Sequence, residues 1–266
     1  MNERPSVRIG VLALQGSFSE HISALRRVSG MDVDVIEVRK AQELESCSGV
    51  VIPGGESTTM AKLAATNGLL DGLKSFAASG KPIWGTCAGL IFLAKEACGA
   101  KEGGQALLGT LDVTVARNFF GSQVHSFETR LPAPSALTKA AVSSASSSCG
   151  GNNTATLTMA NDAPAPAAAT DESDDDDDDG KFFRAVFIRA PGIVRCGPEV
   201  EVLSEYALPD GAGVMVEGVD APVEKVAVAV RQGNLLATAF HPELTSDNRW
   251  HALFKGMVVG AEKRAA

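Results

Sequence analysis

Cys87 stands between two glycines in "WGTCAG", directly after a short apolar run. Burying a small apolar side chain makes no demand on the backbone beside it, so glycine on both sides suggests a chain forced through a tight turn. The form resembles the G-x-S-x-G nucleophile elbow with sulfur in place of oxygen. There the nucleophile sits on a strained strand-to-helix turn, flanking glycines relieve crowding, and the helix amide end stabilises a thiolate. G-x-C-x-G alone is equally compatible with a buried, inert cysteine. A thiol needs a base, and His241 is the first candidate. It follows "LLATAF" at the C-terminal edge of a strand, and Glu243 lies two residues on, across the stiffening Pro242, to orient the imidazole. A lone histidine at a strand end is more often a surface or satisfied residue; the pairing with Glu243 and an elbow cysteine makes this one a candidate base. Acyl transfer also needs an oxyanion site. The backbone N–H of Ala88 supplies one donor and "PGGES" offers Gly54 and Gly55 as others, although Gly-Gly is also common in an ordinary strand-to-helix turn. His21, His125 and His251 lack comparable neighbours and are expected at the surface or facing a partner.

The elements that would hold these groups alternate between strand and helix. "VRIGVLAL" at 7–14 reads as a buried strand followed by a turn and a helix from about Phe18, and "VDVIEV" at 33–38 as a second strand. Val50 to Ile52 form a third, with Ser57 placed to cap a helix through Leu63. "KPIWGTCAGLIFLAKEA" repeats strand, turn and helix. Such alternation argues for a parallel sheet covered on both faces. From Leu108 onward "LLGTLDVTVARN", "FRAVFIRAP" and the hairpin-like "VAVAVRQGNLLATAF" read as sheet additions and an antiparallel flank, and a closing helix spans about Ser246 to Val259.

The whole chain, 1–266, therefore reads as a single α/β domain interrupted by an insertion at about 131–180. That stretch is rich in Ala, Ser, Pro, Gly and Asp and too poor in large apolar side chains to offset its ordering entropy. Only "ATLTMA" at 155–160 has the character of a strand. The insertion holds nine acids against one base, Lys139, which accounts for the entire net charge of −8 and leaves the remainder formally neutral. No basic face for nucleic acid follows from such a distribution. No apolar run is long enough to span a membrane, and "MNERPSVRIG" lacks the apolar core of a secretory signal and the character of a transit peptide, so the cytoplasm is the expected compartment. Five cysteines without a C-x-x-C pair and four scattered histidines indicate free thiols, no metal and no cofactor.

"PGGEST", "GTCAG" and "HPELT", in this order, resemble the class I, or triad, glutamine amidotransferases. Within them the chain is similar to the PdxT/SNO family, the glutaminase subunits of the deoxyxylulose-independent pyridoxal 5'-phosphate synthase. The stretches "IGVLALQGSFSEH", "VIPGGESTTMAKL", "PIWGTCAGLIFLAKE", "LLGTLDVTVARNFFGSQVHSFE", "FRAVFIRAP" and "ATAFHPELTSDNRWHALF" carry the likeness over most of the chain outside the insertion. The resemblance implies a flavodoxin-like three-layer α/β/α domain with a mixed, mostly parallel sheet. It also implies hydrolysis of L-glutamine to glutamate and ammonia, with Cys87 as nucleophile, His241 as general base and acid, and Glu243 orienting it. Gly55, Glu56, Ser57, Arg117, Ile188 and Arg189 match the family's glutamine-binding positions, and the arginines suit a substrate carboxylate. It further implies a partner synthase subunit with a dodecameric core, ammonia passed to that subunit, and low activity without it. Ser122, where many bacterial members carry Arg, leaves one interface or gating contact in doubt. Two other readings stand beside this one: a different amidotransferase or stand-alone DJ-1/PfpI-like hydrolase, against which "GGEST" with "HPELT" argues, and a non-catalytic scaffold, which would be expected to have lost Cys87, His241 or Glu243.

Overall fold

Runs of β-branched and aliphatic residues form the centre of the molecule, because a strand buried on both faces has no use for alternation with polar residues. β1 (Val7–Leu12), β3 (Gly49–Ile52) and β4 (Ile83–Thr86) are such strands, and every residue of β3 and β4 is buried. β2 (Val33–Val38) lies at one edge and alternates between buried and exposed positions. The computed structural model describes residues 7–66, 68–99, 105–121, 126–138, 180–209 and 212–265.

A ten-stranded sheet runs in the order β2-β1-β3-β4-β12-β11-β9-β6-β5, with β10 (Glu201–Ala207) also paired to β11. The remaining members are β5 (Ala94–Cys98), β6 (Leu111–Ala116), β9 (Gly192–Cys196), β11 (Lys225–Gln232) and β12 (Leu235–Thr238). All pairings from β2 through β12 are parallel, as is β5 with β6. Antiparallel pairings gather around β11 and β9, the flank expected from the later sequence. β11 and β12 form a hairpin closed by the two residues Gly233 and Asn234, with Gln232 opposite Leu235.

Helices cover both faces. α1 (Phe18–Arg27) and α6 (Arg249–Ala265) pack on each other and on β1, while α2 (Ala41–Glu45), α3 (Ser57–Thr66), α4 (Leu69–Ala78) and α5 (Ala88–Leu93) form the second group. α6 starts three residues later and runs six residues further than the apolar pattern suggests. The sequence after Leu93 differs in kind from expectation: "AKEAC" leaves the helix and forms edge strand β5. Six residues of α5 are all buried, so the helix ends when Lys95 and Glu96 reach the surface.

β7 (Phe127–Pro132) and β8 (Phe182–Phe187) make a separate antiparallel hairpin, Phe127 facing Phe187 and Pro132 facing Phe182. The strand thus runs into the start of the expected insertion, Leu131 is buried, and Leu137 is fully buried. Residues 131–138 and 180 of the expected insertion are described, whereas the strand suggested at 155–160 lies outside the described residues. Among the described residues no helix is long and apolar enough to cross a membrane.

The glycines flanking Cys87 have a role other than turn torsion. Neither Gly85 nor Gly89 has a positive φ; the strained residue is Cys87 itself. A Cβ on Gly89 would collide with the Ile52 carbonyl oxygen and one on Gly85 with the Gly89 backbone, so the pair lets α5 lie directly against β3 and β4. Because the opposing atoms are backbone, Gly89→Ala is expected to destabilise the fold by about 1–3 kcal/mol or more, read as a lower urea midpoint. An unchanged midpoint would show that α5 can lift off the sheet freely.

Candidate active site

Four loops leave the C-terminal ends of β1, β3, β4 and β12, and each carries a polar residue of the site. In a doubly wound sheet this edge, near the point where strand order reverses, is where ligands bind. The order β2-β1-β3 places that reversal beside Gln15 and Gly54.

Cys87 follows β4 with φ 47° and ψ −102°, a conformation costly for a residue with a side chain. Its N–H donates to the Thr238 carbonyl at 2.8 Å and its carbonyl accepts from Ile91, so backbone bonds hold the strained turn from both sides. Thr86 lies opposite Thr238 in the parallel β4–β12 ladder, which fixes Cys87 relative to the loop that carries His241. The Cys87 side chain acts on the His241 ring, and its thiol lies 4.0 Å from the Ile188 carbonyl oxygen. Gly54 packs against both: a Cβ there would sit 2.5 Å from His241 Cε1 and 3.3 Å from Cys87 Cβ.

His241 Nδ1 lies 2.8 Å from Glu243 Oε1, and the two residues are 7% and 5% exposed. The 3-10 turn Pro242–Leu244 makes this contact between residues two apart, and the His241 N–H donates to the Val186 carbonyl of β8 at 2.8 Å. Burial alone would lower the pKa of His241, but its interactions with Cys87 and Glu243 outweigh that and raise it well above the ordinary imidazole range. Burial would likewise raise Glu243, yet electrostatic attraction to His21 and His241 and the hydrogen bonds from His241 and Ser17 hold it near 2. Ser17 Oγ donates to Glu243 Oε1 at 2.5 Å. The arrangement is a thiol, an imidazole able to accept its proton, and a buried carboxylate that stabilises the resulting imidazolium.

The segment after β3 departs from expectation in one respect. Ser57 is the first residue of α3, and Glu56 caps it: the Glu56 carboxylate accepts the Thr59 N–H at 3.0 Å, the Thr59 hydroxyl at 3.1 Å and the Thr58 hydroxyl. Ser57 Oγ instead accepts from Arg117 Nη2 and donates to Gln105 Oε1, each at 3.0 Å, which brings together two of the sequence-identified positions. Gly55 has φ +147°, which favours glycine, and a side chain there would collide with Gln15. Gln15 Oε1 accepts the Glu56 N–H at 2.9 Å. Ala88 opens α5 next to Cys87, and Ile188 and exposed Arg189, with φ 46°, follow β8.

His21 and His251, expected at the surface, are fully buried, since α1 and α6 turn both rings inward beside Trp84. Ser122 and His125 lie outside the described residues. Gln15, Ser17 and Gln105 belong to the site and carried no signal in the sequence; a polar residue just after an apolar strand, in "ALQGS", is the only trace they leave.

The chain matches the SNO glutamine amidotransferase family over residues 11–139 and 169–260. It is 48% identical over 265 residues to the Arabidopsis thaliana protein named probable pyridoxal 5'-phosphate synthase subunit PDX2, covering 97% of this chain and 88% of the relative. With the pyridoxal 5'-phosphate synthase subunit PdxT of Methanosarcina mazei it shares 40% over 257 residues, 95% of this chain and 99% of the relative. A crystal structure of a glutamine amidotransferase superposes with a TM-score of 0.64 at 36% identity, covering 94% of this chain and 98% of the other. A chain of the PurLQS structure from Thermotoga maritima superposes at 0.53 with 15% identity, covering 96% of this chain and 98% of the other, a likeness of fold alone. The mixed, mostly parallel sheet is thus the flavodoxin-like class I amidotransferase fold.

The cap on α3 gives a pH-dependent outcome. The hydrogen bond from the Thr58 hydroxyl, and those from Thr59, hold the Glu56 pKa at about 2, below its ordinary 4.5. A depressed carboxylate contributes stability above its unfolded value and loses it as pH falls through its folded value. Glu56→Ala should therefore lower stability by about 0.5–1 kcal/mol at neutral pH, with the gap in urea midpoint closing as pH drops from 4.5 towards 2. A gap independent of pH would deny the cap.

Proposed function

The chain belongs to the SNO glutamine amidotransferase family, and from that membership we propose that it is the glutaminase subunit of a pyridoxal 5'-phosphate synthase. It hydrolyses L-glutamine to glutamate and ammonia and delivers the ammonia to a synthase subunit. The observation that carries the reading is the buried His241–Glu243 pair at 2.8 Å, with the imidazole turned to Cys87 across the β4–β12 edge.

In this reading the Cys87 thiol gives its proton to His241 and the sulfur attacks the side-chain amide carbon of glutamine. The N–H groups of Ala88, Gly54 and Gly55 receive the developing oxyanion. His241 then returns the proton to the nitrogen, ammonia leaves, and a glutamyl thioester remains. Water, deprotonated by His241, adds to the thioester carbon, glutamate departs, and the thiol recovers its proton. Glu243 stays ionised throughout and holds the imidazolium.

Gly55, Glu56, Ser57, Arg117, Ile188 and Arg189 form the glutamine site. The Glu56 carboxylate is committed to α3, so its backbone rather than its side chain faces substrate. Arg117 is steered by Ser57, and Arg117 and Arg189 supply charge for the substrate's α-carboxylate. The chain acts as one domain with an acidic insertion at about 131–180, needs no metal or cofactor for this step, and works on a synthase core of the dodecameric kind implied by its family. All three triad positions are occupied, which disfavours a scaffold without activity.

Purified chain should release glutamate slowly alone and much faster with a pyridoxal phosphate synthase subunit, and Cys87→Ala should cut the rate by at least about a thousandfold while leaving partner binding intact. Partner binding with no glutamate release under either condition would favour the scaffold. Release unaffected by the partner would favour a stand-alone hydrolase.

A further inference from the structure

Behind the Cys87–His241–Glu243 cluster the polar chain continues into the protein. Glu243 Oε2 is buried and makes no hydrogen bond, and His21 Nε2 stands 3.3 Å from it. The same Nε2 is 3.2 Å from Thr86 Oγ1, and His21 Nδ1 is 3.0 Å from His251 Nε2. His21 and His251 come from α1 and α6, 230 residues apart, both fully buried. Trp84 presses edge-on against each ring, with centroids 5.4 and 4.9 Å away.

The tautomers follow from the partners. If His21 donated from Nδ1, His251 would carry its proton on Nδ1, a buried N–H with no acceptor, and the bare Nε2 of His21 would face a carboxylate. The opposite assignment avoids both costs: His251 Nε2–H donates to His21 Nδ1, and His21 Nε2–H is turned to Glu243 Oε2 and Thr86 Oγ1. Burial lowers the pKa of both rings, so neither competes with His241 for the proton. The charged and titratable groups that act on the pair are Glu243 and His241 from the site loop, Glu20 and Arg27 from α1, and each other.

We propose that His21 is a positioning residue of the triad: its Nε2–H, set by His251, attracts the outer oxygen of Glu243 across 3.3 Å while Ser17 and His241 hold the inner one, which opposes rotation of the carboxylate away from the imidazole. A carboxylate held at one oxygen alone pivots about that bond; a dipole set against the other oxygen favours the orientation that presents Oε1 to His241. Glutamine turnover enters the test only through the glutaminase reading, on which the kinetic arm rests.

The test compares His21→Gln, whose amide N–H can take the place of Nε2–H, with His21→Asn, which is one methylene shorter and withdraws the donor. Iodoacetamide alkylation of Cys87, followed on its own peptide by mass spectrometry, gives a pH–rate profile without glutamine. Glutamate release with the synthase subunit gives kcat and KM. H21N should lose about ten- to a hundredfold in kcat with little change in KM, and its alkylation profile should shift its acid limb to higher pH, because Glu243 short of a donor binds a proton more readily. H21Q should restore both. If H21N does not fold, His251→Asn, which removes the donor that sets the tautomer, carries the same two expectations. A wild-type acid limb and kcat in H21N, or equal impairment of H21N and H21Q, overturns the proposal. No glutamate release from the wild type would overturn the glutaminase reading, and the alkylation profile then decides the role of His21 alone.

Discussion

The parallel pairing of β4 with β12 is the constraint on which the site depends. Ile83 to Thr86 lie in register with Leu235 to Thr238, and the ladder ends where Cys87 donates its N–H to the Thr238 carbonyl. Parallel strands end on the same side of a sheet, so the cysteine after one and the histidine after the other emerge together although 154 residues separate them. β12 is delivered there by its hairpin with β11, which turns the chain back into the centre of the sheet. A one-residue slip would move Cys87 relative to His241 and reverse the faces of three buried residues of β12 at once.

The glycines serve that ladder by removing volume. Gly85 and Gly89 let α5 lie against the sheet, Gly54 makes room for the His241 ring, and Gly55 makes room for Gln15. The strain is concentrated in Cys87, whose φ of 47° survives because backbone bonds to β12 and α5 hold it from both sides. Such a turn projects the thiol away from the sheet edge, which a relaxed helix start would not do.

Electrostatics add a second requirement. A buried carboxylate needs nearby donors and opposite charge, and Glu243 meets Ser17 and His241 on one oxygen, with His21 3.3 Å from the other. α1 and α6 are therefore more than a covering layer, since they carry the two histidines behind the site. The β7–β8 hairpin reaches the site at its Phe127–Phe187 end, and its Pro132–Phe182 end is about 17 Å away along five residues of strand. Arg249 Nη1 donates to the Gly180 carbonyl at 2.7 Å and anchors the return of the chain.

The sequence alone determined the alternation of strands and helices, because buried parallel strands and amphipathic helices leave local periodic patterns, and β2 appears at its expected bounds. It also singled out Cys87, His241 and Glu243, whose neighbours "GTCAG" and "HPE" record local backbone demands. It misplaced Ser57 as a cap, because the longer Glu56 side chain reaches the same amides and propensity favours serine. The strand at Ala94–Cys98 was illegible because its pairing partner, not its composition, decides it. Strand order, the strain at Cys87 rather than at its glycines, and the burial of His21 and His251 were decided only by tertiary structure. Each depends on residues tens to hundreds of positions apart meeting across the sheet, and a lone histidine on a helix carries no local mark of what that helix will face.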